Sequence, residues 1–281
     1  MQVIGRSNKP DLHYLVDDFT DPWRNAPYIW LQHGFGRSSQ FWYRCVPYLC
    51  RFYKIVRPDL RGMGRSSTAF DWERELELDD FLGDFDAVLD ALGVESVHYC
   101  GESLGGILGM VFAAKRPARF RTLTLISSRV YLNAASQQRY TFGQDSWEAA
   151  LRKLGPRGYA DAKNTSDRFP PGTDPGLMEW FAQRQGESDV NVLIGVQRLA
   201  RRIDTTPYLS RIEAPVLTIY PSEGPITTPE QEELLRKHVR NLKLVHLPSR
   251  FHNLHLTQPA ACARELLQFA ALHDGVTCDE G

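Results

Sequence analysis

No part of the chain approaches the roughly 18 consecutive apolar residues that a membrane span needs. The N-terminal stretch, MQVIGRSNKPDLHYLVDD, lacks the short apolar core of a secretory leader. These two absences point away from insertion and export, so the expected location is cytoplasmic. Charge of one sign is missing as well: 33 Lys and Arg stand against 34 Asp and Glu, for a formal net charge of −1. That balance draws the chain neither to nucleic acid nor to an anionic membrane, and neither is expected as a partner. Cysteine is sparse and odd in number: Cys45, Cys50, Cys100, Cys262 and Cys278. Their spacing fits no metal site, and the Cys45–Cys50 pair reads as a coincidence on a helix. Reduced thiols are expected, with no metal and no cofactor. Internal repeats and low-complexity tracts are also lacking.

What is present is an ordinary globular composition, 42% hydrophobic and 24% charged over 281 residues. That length suits one large domain or a domain carrying an insertion. Apolar runs alternate with helical patterns. YIWLQ (28–32), YKIVRP (53–58), SVHYC (96–100), FRTLTLIS (120–127), PVLTIY (215–220) and LKLVHLP (242–248) read as strands. The segment from Glu73 to Gly93 places apolar residues at helical spacing, and Gly93 is positioned to end that helix. Strands that are apolar nearly throughout imply a mostly parallel sheet covered on both faces. The rhythm breaks between Ser128 and Arg211. There SWEAALRKL, GLMEWFAQRQ and VNVLIGVQRLARRI are helical in pattern and no strand stands out. The expected organisation is a core over 1–127, a helical insertion over 128–210 lying across one end of the sheet, and a second core segment over 211–281. The terminal GVTCDEG is expected to fray.

Residues 101–105 read GESLG, a G-x-S-x-G pattern. Alone the pattern is weak. Here a strand leads in and the apolar helix LGGILGMVFAAK leads out, which is the setting the motif requires. A sharp turn lifts the Ser103 hydroxyl above the sheet edge, and glycines on both sides let strand and helix close around it. The Leu104 N–H points into the same space. With HGFGRSSQFWY, RPDLRGMGRSS and FHNLHLTQP in the same order, the chain resembles the α/β-hydrolase superfamily over nearly its whole length. The similarity is to its esterase, enol-lactonase and meta-cleavage hydrolase branch. The fold thereby implied is α/β: a mostly parallel central sheet flanked by helices, with the insertion as a helical cap.

The resemblance also implies site residues. Ser103 is the nucleophile. The residue after HG in HGFG, Phe35, donates a backbone N–H to the oxyanion together with Leu104. His33 itself reads as a loop-holding residue. The base lies in the loop after the last strand, where the count from His252 to Pro259 fits the family form and His255 falls on its second histidine. His246, inside the strand, reads as packed. The acid is the departure. The family places an aspartate after the PVLTIY-type strand; in YPSEGPI that position is Gly224, and Glu223 is one residue earlier. Glu223 is therefore the candidate acid, its extra methylene and the freedom of Gly224 compensating the shift. An ordinary surface role for Glu223, another carboxylate such as Asp204, or a Ser–His pair without an acid stay open. Glu102, beside the serine, is expected to point away from the histidine.

The chemistry implied is serine hydrolysis of a carboxylic ester or lactone through an acyl-enzyme, on a small-molecule substrate. Serine at the elbow argues against dehalogenase and epoxide hydrolase chemistry, which use aspartate there. Carbon–carbon hydrolysis of a vinylogous diketone and a non-catalytic receptor on the same fold remain as alternatives. Tyr131, Tyr140, Phe142, Trp147, Phe169, Trp180 and Phe181 crowd the insertion. They either pack it or line a pocket for an apolar or aromatic substrate. Nothing in the sequence bears on oligomeric state.

Overall fold

The computed structural model describes residues 2–225 and 228–278, apart from the side chains of residues 165 and 166. Its centre is a sheet of strands β1 (Gln2–Ile4), β2 (Leu12–Asp17), β3 (Tyr28–Gln32), β4 (Lys54–Pro58), β5 (Val97–Glu102), β6 (Phe120–Ile126), β7 (Val216–Pro221) and β8 (Leu242–Leu247). They lie in the order β1-β2-β4-β3-β5-β6-β7-β8. β1–β2 and β2–β4 pair antiparallel, and every later pairing is parallel. β5 and β7 are buried along their whole length. This explains why their sequences run apolar instead of alternating. The six strands read from the sequence are β3 to β8. The N-terminal pair β1–β2 was not read there, because β1 is three residues long and largely exposed.

Helices cover both faces. On one lie α2 (Leu78–Leu92) and α3 (Leu104–Lys115), and on the other α1 (Val46–Leu49) and α11 (Pro259–Asp274). α2 begins in a reciprocal cap, the Glu77 N–H donating to Asp80 Oδ2 at 3.0 Å. It ends at Gly93 with φ 65°, the left-handed turn that glycine adopts without penalty. Only Lys115 of α3 escapes burial. This helix is apolar all round because the sheet lies under it and other helices lie over it. On the opposite face α11 presses Leu266 and Phe269 into a core with Trp42 and Leu217. Each such side chain, fully buried, contributes about 1.5–3 kcal/mol.

Between β6 and β7 come α4 (Ala134–Arg139), α5 (Trp147–Lys163), a π-turn (Asn164–Arg168), α6 (Pro175–Gly186), α7 (Val190–Arg202) and α8 (Thr206–Leu209). α5 breaks at Gly155, φ 67°, immediately before Pro156, which cannot supply a helical N–H. The stretch holds one isolated bridge, Tyr131 to Asp204, among its described residues. α9 (Pro229–His238) and α10 (Leu254–Thr257) complete the chain. Among the described residues no helix is long and apolar enough to cross a membrane.

Candidate active site

Ser103 stands between β5 and α3 with φ 54° and ψ −119°. This region is costly for a residue with a side chain, and strain of this kind is held only where the surroundings enforce it. The surroundings do so here. The Ser103 N–H donates to Ile126 O at 3.0 Å, and Ser103 O accepts from Gly106 N and Ile107 N. A Cβ on Gly101 would lie 2.4 Å from the carbonyl of Gly105, and one on Gly105 would lie 2.5 Å from Gln32 O. The two glycines of the motif are thus required by close backbone approach.

The HGFG loop comes equally close from β3. A Cβ on Gly34 would meet Glu102 Oε2 at 2.7 Å and Ser103 Cβ at 3.0 Å. His33 holds this loop from within. Its Nδ1 lies 2.9 Å from Gly34 O and its Nε2 accepts from the Leu60 N–H at 3.0 Å. Burial holds the His33 imidazole below its ordinary pKa, so both contacts are those of a neutral ring. Among the described residues the amides of Phe35 and Leu104 donate no hydrogen bond. Both residues line the cavity that Ser103 faces.

His252 lies on the loop after β8, 2% exposed, and lines the same cavity. Its backbone N–H donates to Asp167 O at 2.9 Å, which ties the histidine loop to the inserted helices. Its Nε2 is 2.9 Å from Glu102 Oε1, in contact but not aligned as a hydrogen bond. Among the described residues neither ring nitrogen makes a hydrogen bond, to Ser103 or to any other group. Burial and the nearby guanidiniums of Arg168, Arg37 and Arg129 hold the imidazole well below its ordinary pKa. It is neutral at neutral pH and able to take a proton.

Two expectations need correction. Glu223 does not reach His252. Its side chain is exposed, and its backbone is pinned outside the cavity, the N–H donating to Ser249 O at 3.0 Å. Gly224 next to it stands at φ 94°, and a Cβ there would lie 2.6 Å from the Arg250 carbonyl oxygen. Glu102, expected to point away, is instead the carboxylate beside the imidazole. Glu102 is the last residue of β5, and its side chain is fully buried there. Arg37 Nη1 donates to Glu102 Oε2 in a short contact, and Arg37 Nη2 donates to Asn253 Oδ1 at 2.9 Å. Burial pushes the Glu102 carboxyl up, and Arg37 opposes that shift. The sequence carried a signal for this pair: a carboxylate ending an apolar strand demands a buried cation, and HGFGR supplies one.

The other candidates lie elsewhere. His255 is buried against the Trp42 ring, centroids 4.9 Å apart, and does not line the cavity. His246 is exposed on the edge strand β8, not packed, with Nε2 2.9 Å from Glu232 Oε1. Asp204 is exposed and accepts from the Thr206 N–H at 2.8 Å. Of the seven aromatics singled out in the insertion, Tyr140 and Trp147 line the cavity. Phe169 and Phe181 pack with Phe41 in a separate cluster. Tyr159 and Phe35 also line the cavity, whose volume is about 40 Å³.

Comparison with known proteins agrees with this geometry. The alpha/beta hydrolase fold family matches residues 27–259. A 3-oxoadipate enol-lactonase of Acinetobacter baylyi is 27% identical over 77% of this chain and 78% of its own length. A putative carbamate hydrolase, RutD, of Variovorax paradoxus is 28% identical over 92% and 96%. The crystal structure of a hydrolase from Pseudomonas aeruginosa superposes with a TM-score of 0.82 at 27% identity, covering 95% of this chain and 97% of that one. With its strained serine elbow and strand order, the chain belongs to the α/β-hydrolase fold family and is a hydrolase of its small-molecule esterase branch.

Proposed function

We propose that the protein is a serine hydrolase that cleaves a carboxylic ester or lactone of a small molecule through an acyl-enzyme on Ser103. The observation that carries this reading is the Ser103 elbow at φ 54°, opening on a cavity that also holds His252 and the idle amides of Phe35 and Leu104. Ser103 Oγ attacks the carbonyl carbon while its proton passes to His252. The former carbonyl oxygen becomes an oxyanion and is met by the N–H groups of Phe35 and Leu104, donors already in place before charge develops. Collapse expels the alkoxide, which takes the proton from His252. Water then attacks the ester on Ser103, giving its proton to His252, and the acid leaves as Ser103 recovers the proton.

Glu102 is the positioning carboxylate in this reading. At 2.9 Å from Nε2 it stabilises the imidazolium formed in each step, and Arg37 fixes it there. Residues 1–127 and 211–281 form the catalytic core, and the helices over 128–210 act as the cap that closes the cavity. Ser103→Ala is expected to lower kcat on an activated ester by a factor on the order of 10⁴ or more with folding intact. Turnover within tenfold of the parent would overturn the mechanism.

A further inference from the structure

The cavity beside Ser103 is walled by four buried basic side chains: the guanidiniums of Arg37, Arg129 and Arg168 and the amine of Lys163, which burial holds well below its ordinary pKa; each is 3–5% exposed. Glu102 and Asp167 are the carboxylates that act on Lys163 and Arg168. Among the described residues the three guanidiniums alone outnumber these two carboxylates.

The partners of each basic group show where the excess sits. Arg37 is committed to Glu102 and Asn253. Arg129 donates to Tyr140 Oη at 3.1 Å and to Pro225 O at 2.8 Å. Lys163 Nζ donates to Gln185 Oε1, a neutral acceptor, at 3.0 Å. Arg168 is the least satisfied. Its Nη2 reaches Tyr140 Oη at 3.4 Å, and its Nη1 lies 3.3 Å from Asp167 Oδ1 without hydrogen-bond alignment. Among the described residues Nη1 and Nε of Arg168 make no hydrogen bond. Tyr140 registers the same imbalance: burial would raise its phenol, yet Arg129 and Arg168 hold it below its ordinary value. A buried guanidinium with idle donors is expensive unless an anion completes it. A planar guanidinium fork fits a carboxylate.

Resting on the serine-hydrolase reading above, we propose that the substrate is an ester or lactone bearing a carboxylate on its acyl part, and that Arg168, backed by Lys163, binds that carboxylate. A cavity of about 40 Å³ has room for about three water-sized spheres. The basic groups therefore lie within a short carbon chain of the carbonyl that Ser103 attacks. A purely apolar or aromatic substrate, as the aromatic content of the insertion suggests, would offer the idle Nη1 and Nε of Arg168 no acceptor.

The test compares p-nitrophenyl hydrogen glutarate with p-nitrophenyl valerate, substrates of near-equal length that differ by one carboxylate. The wild-type kcat/KM is expected to favour the anionic ester at least tenfold, and Arg168→Met is expected to erase most of that ratio, chiefly through KM. Added salt is expected to narrow it only slightly, because the site is buried. In parallel, calorimetry measures glutarate and glutaramide binding to Ser103→Ala, which needs no turnover. Glutarate is expected to bind at least tenfold more tightly than the neutral diamide. Equal affinities, or a wild-type preference for the valerate ester, would overturn the proposal whether or not Arg168→Met folds. Glutarate binding without ester turnover would instead overturn the hydrolase reading and leave the anion site standing.

Discussion

At the residue scale the account turns on which carboxylate serves His252. Glu102 is buried and in contact with the ring, whereas Glu223 is exposed and held away. Glu102→Gln is expected to lower kcat by roughly 10²–10⁴, because the imidazolium loses its counter-charge. It also strands Arg37, so thermal unfolding should be measured beside the kinetics. Glu223→Gln is expected to stay within twofold of the parent. Equal and large losses in both would return Glu223 to the mechanism. The base makes a second prediction. Three guanidiniums and burial hold His252 well below the ordinary imidazole value of 6.5. A base works when neutral, and a depressed pKa keeps it neutral at lower pH. The acid limb of kcat/KM is therefore expected to fall well below pH 6.5, not at it. For a carboxylate-bearing substrate the limb of kcat is expected to lie higher than that of kcat/KM, since the bound anion offsets the arginines. A limb of kcat/KM at or above 6.5 would contradict the electropositive description of the site.

At the scale of elements, the β5–Ser103–α3 turn is the part most intolerant of change. Gly101→Ala would set a Cβ 2.4 Å from the Gly105 carbonyl, with no flexible side chain to yield. Overpacking of that kind costs about 1–3 kcal/mol or more. A lowered unfolding midpoint in urea, with activity lost in step, is the expected result; an unchanged midpoint would mean that the elbow is looser than it stands. Much of this element level was legible in the sequence. β3 to β8 could be read because parallel strands buried on both faces are apolar without a break. The β1–β2 hairpin could not, because its first strand buries little and leaves no pattern. Ser103 and His252 were legible through motif and spacing. Glu102 was not: its contacts with His252 and Arg37 join the end of β5 to two loops far away in the sequence, which no residue count supplies. Glu223 misled for the related reason that nearness in a family alignment says nothing of which way a turn faces.

The whole molecule carries a stability signature of the same buried groups. His33, His252 and His255 are all buried, and burial is the largest cause holding each below its ordinary value. The unfolded chain binds protons on these rings from about pH 6.5 downward, where the folded chain still resists. Stability from this source is complete above that pH and is lost as pH falls toward the depressed folded values. Asp274 acts later: His98, Arg121 and Tyr53 outweigh burial and hold it at about 2, so its contribution is lost only as pH falls below the ordinary 3.8. Urea unfolding at pH 7.5 and 5.5 is expected to show the lower stability at 5.5. Equal stabilities would mean that the buried imidazoles are solvated or paired in a way the structure does not show.

The claim on which all three scales depend is that Ser103 forms a covalent acyl intermediate in this cavity. It is tested most directly by intact-mass and peptide mass spectrometry after reaction with a fluorophosphonate and, separately, after rapid acid quench during turnover of p-nitrophenyl hydrogen glutarate. The expected result is one phosphonyl adduct per chain and a transient glutaryl adduct of the same stoichiometry, both on the peptide containing Ser103 and both absent from Ser103→Ala. Adducts on another residue, or adduct formation undiminished in Ser103→Ala, would contradict the account.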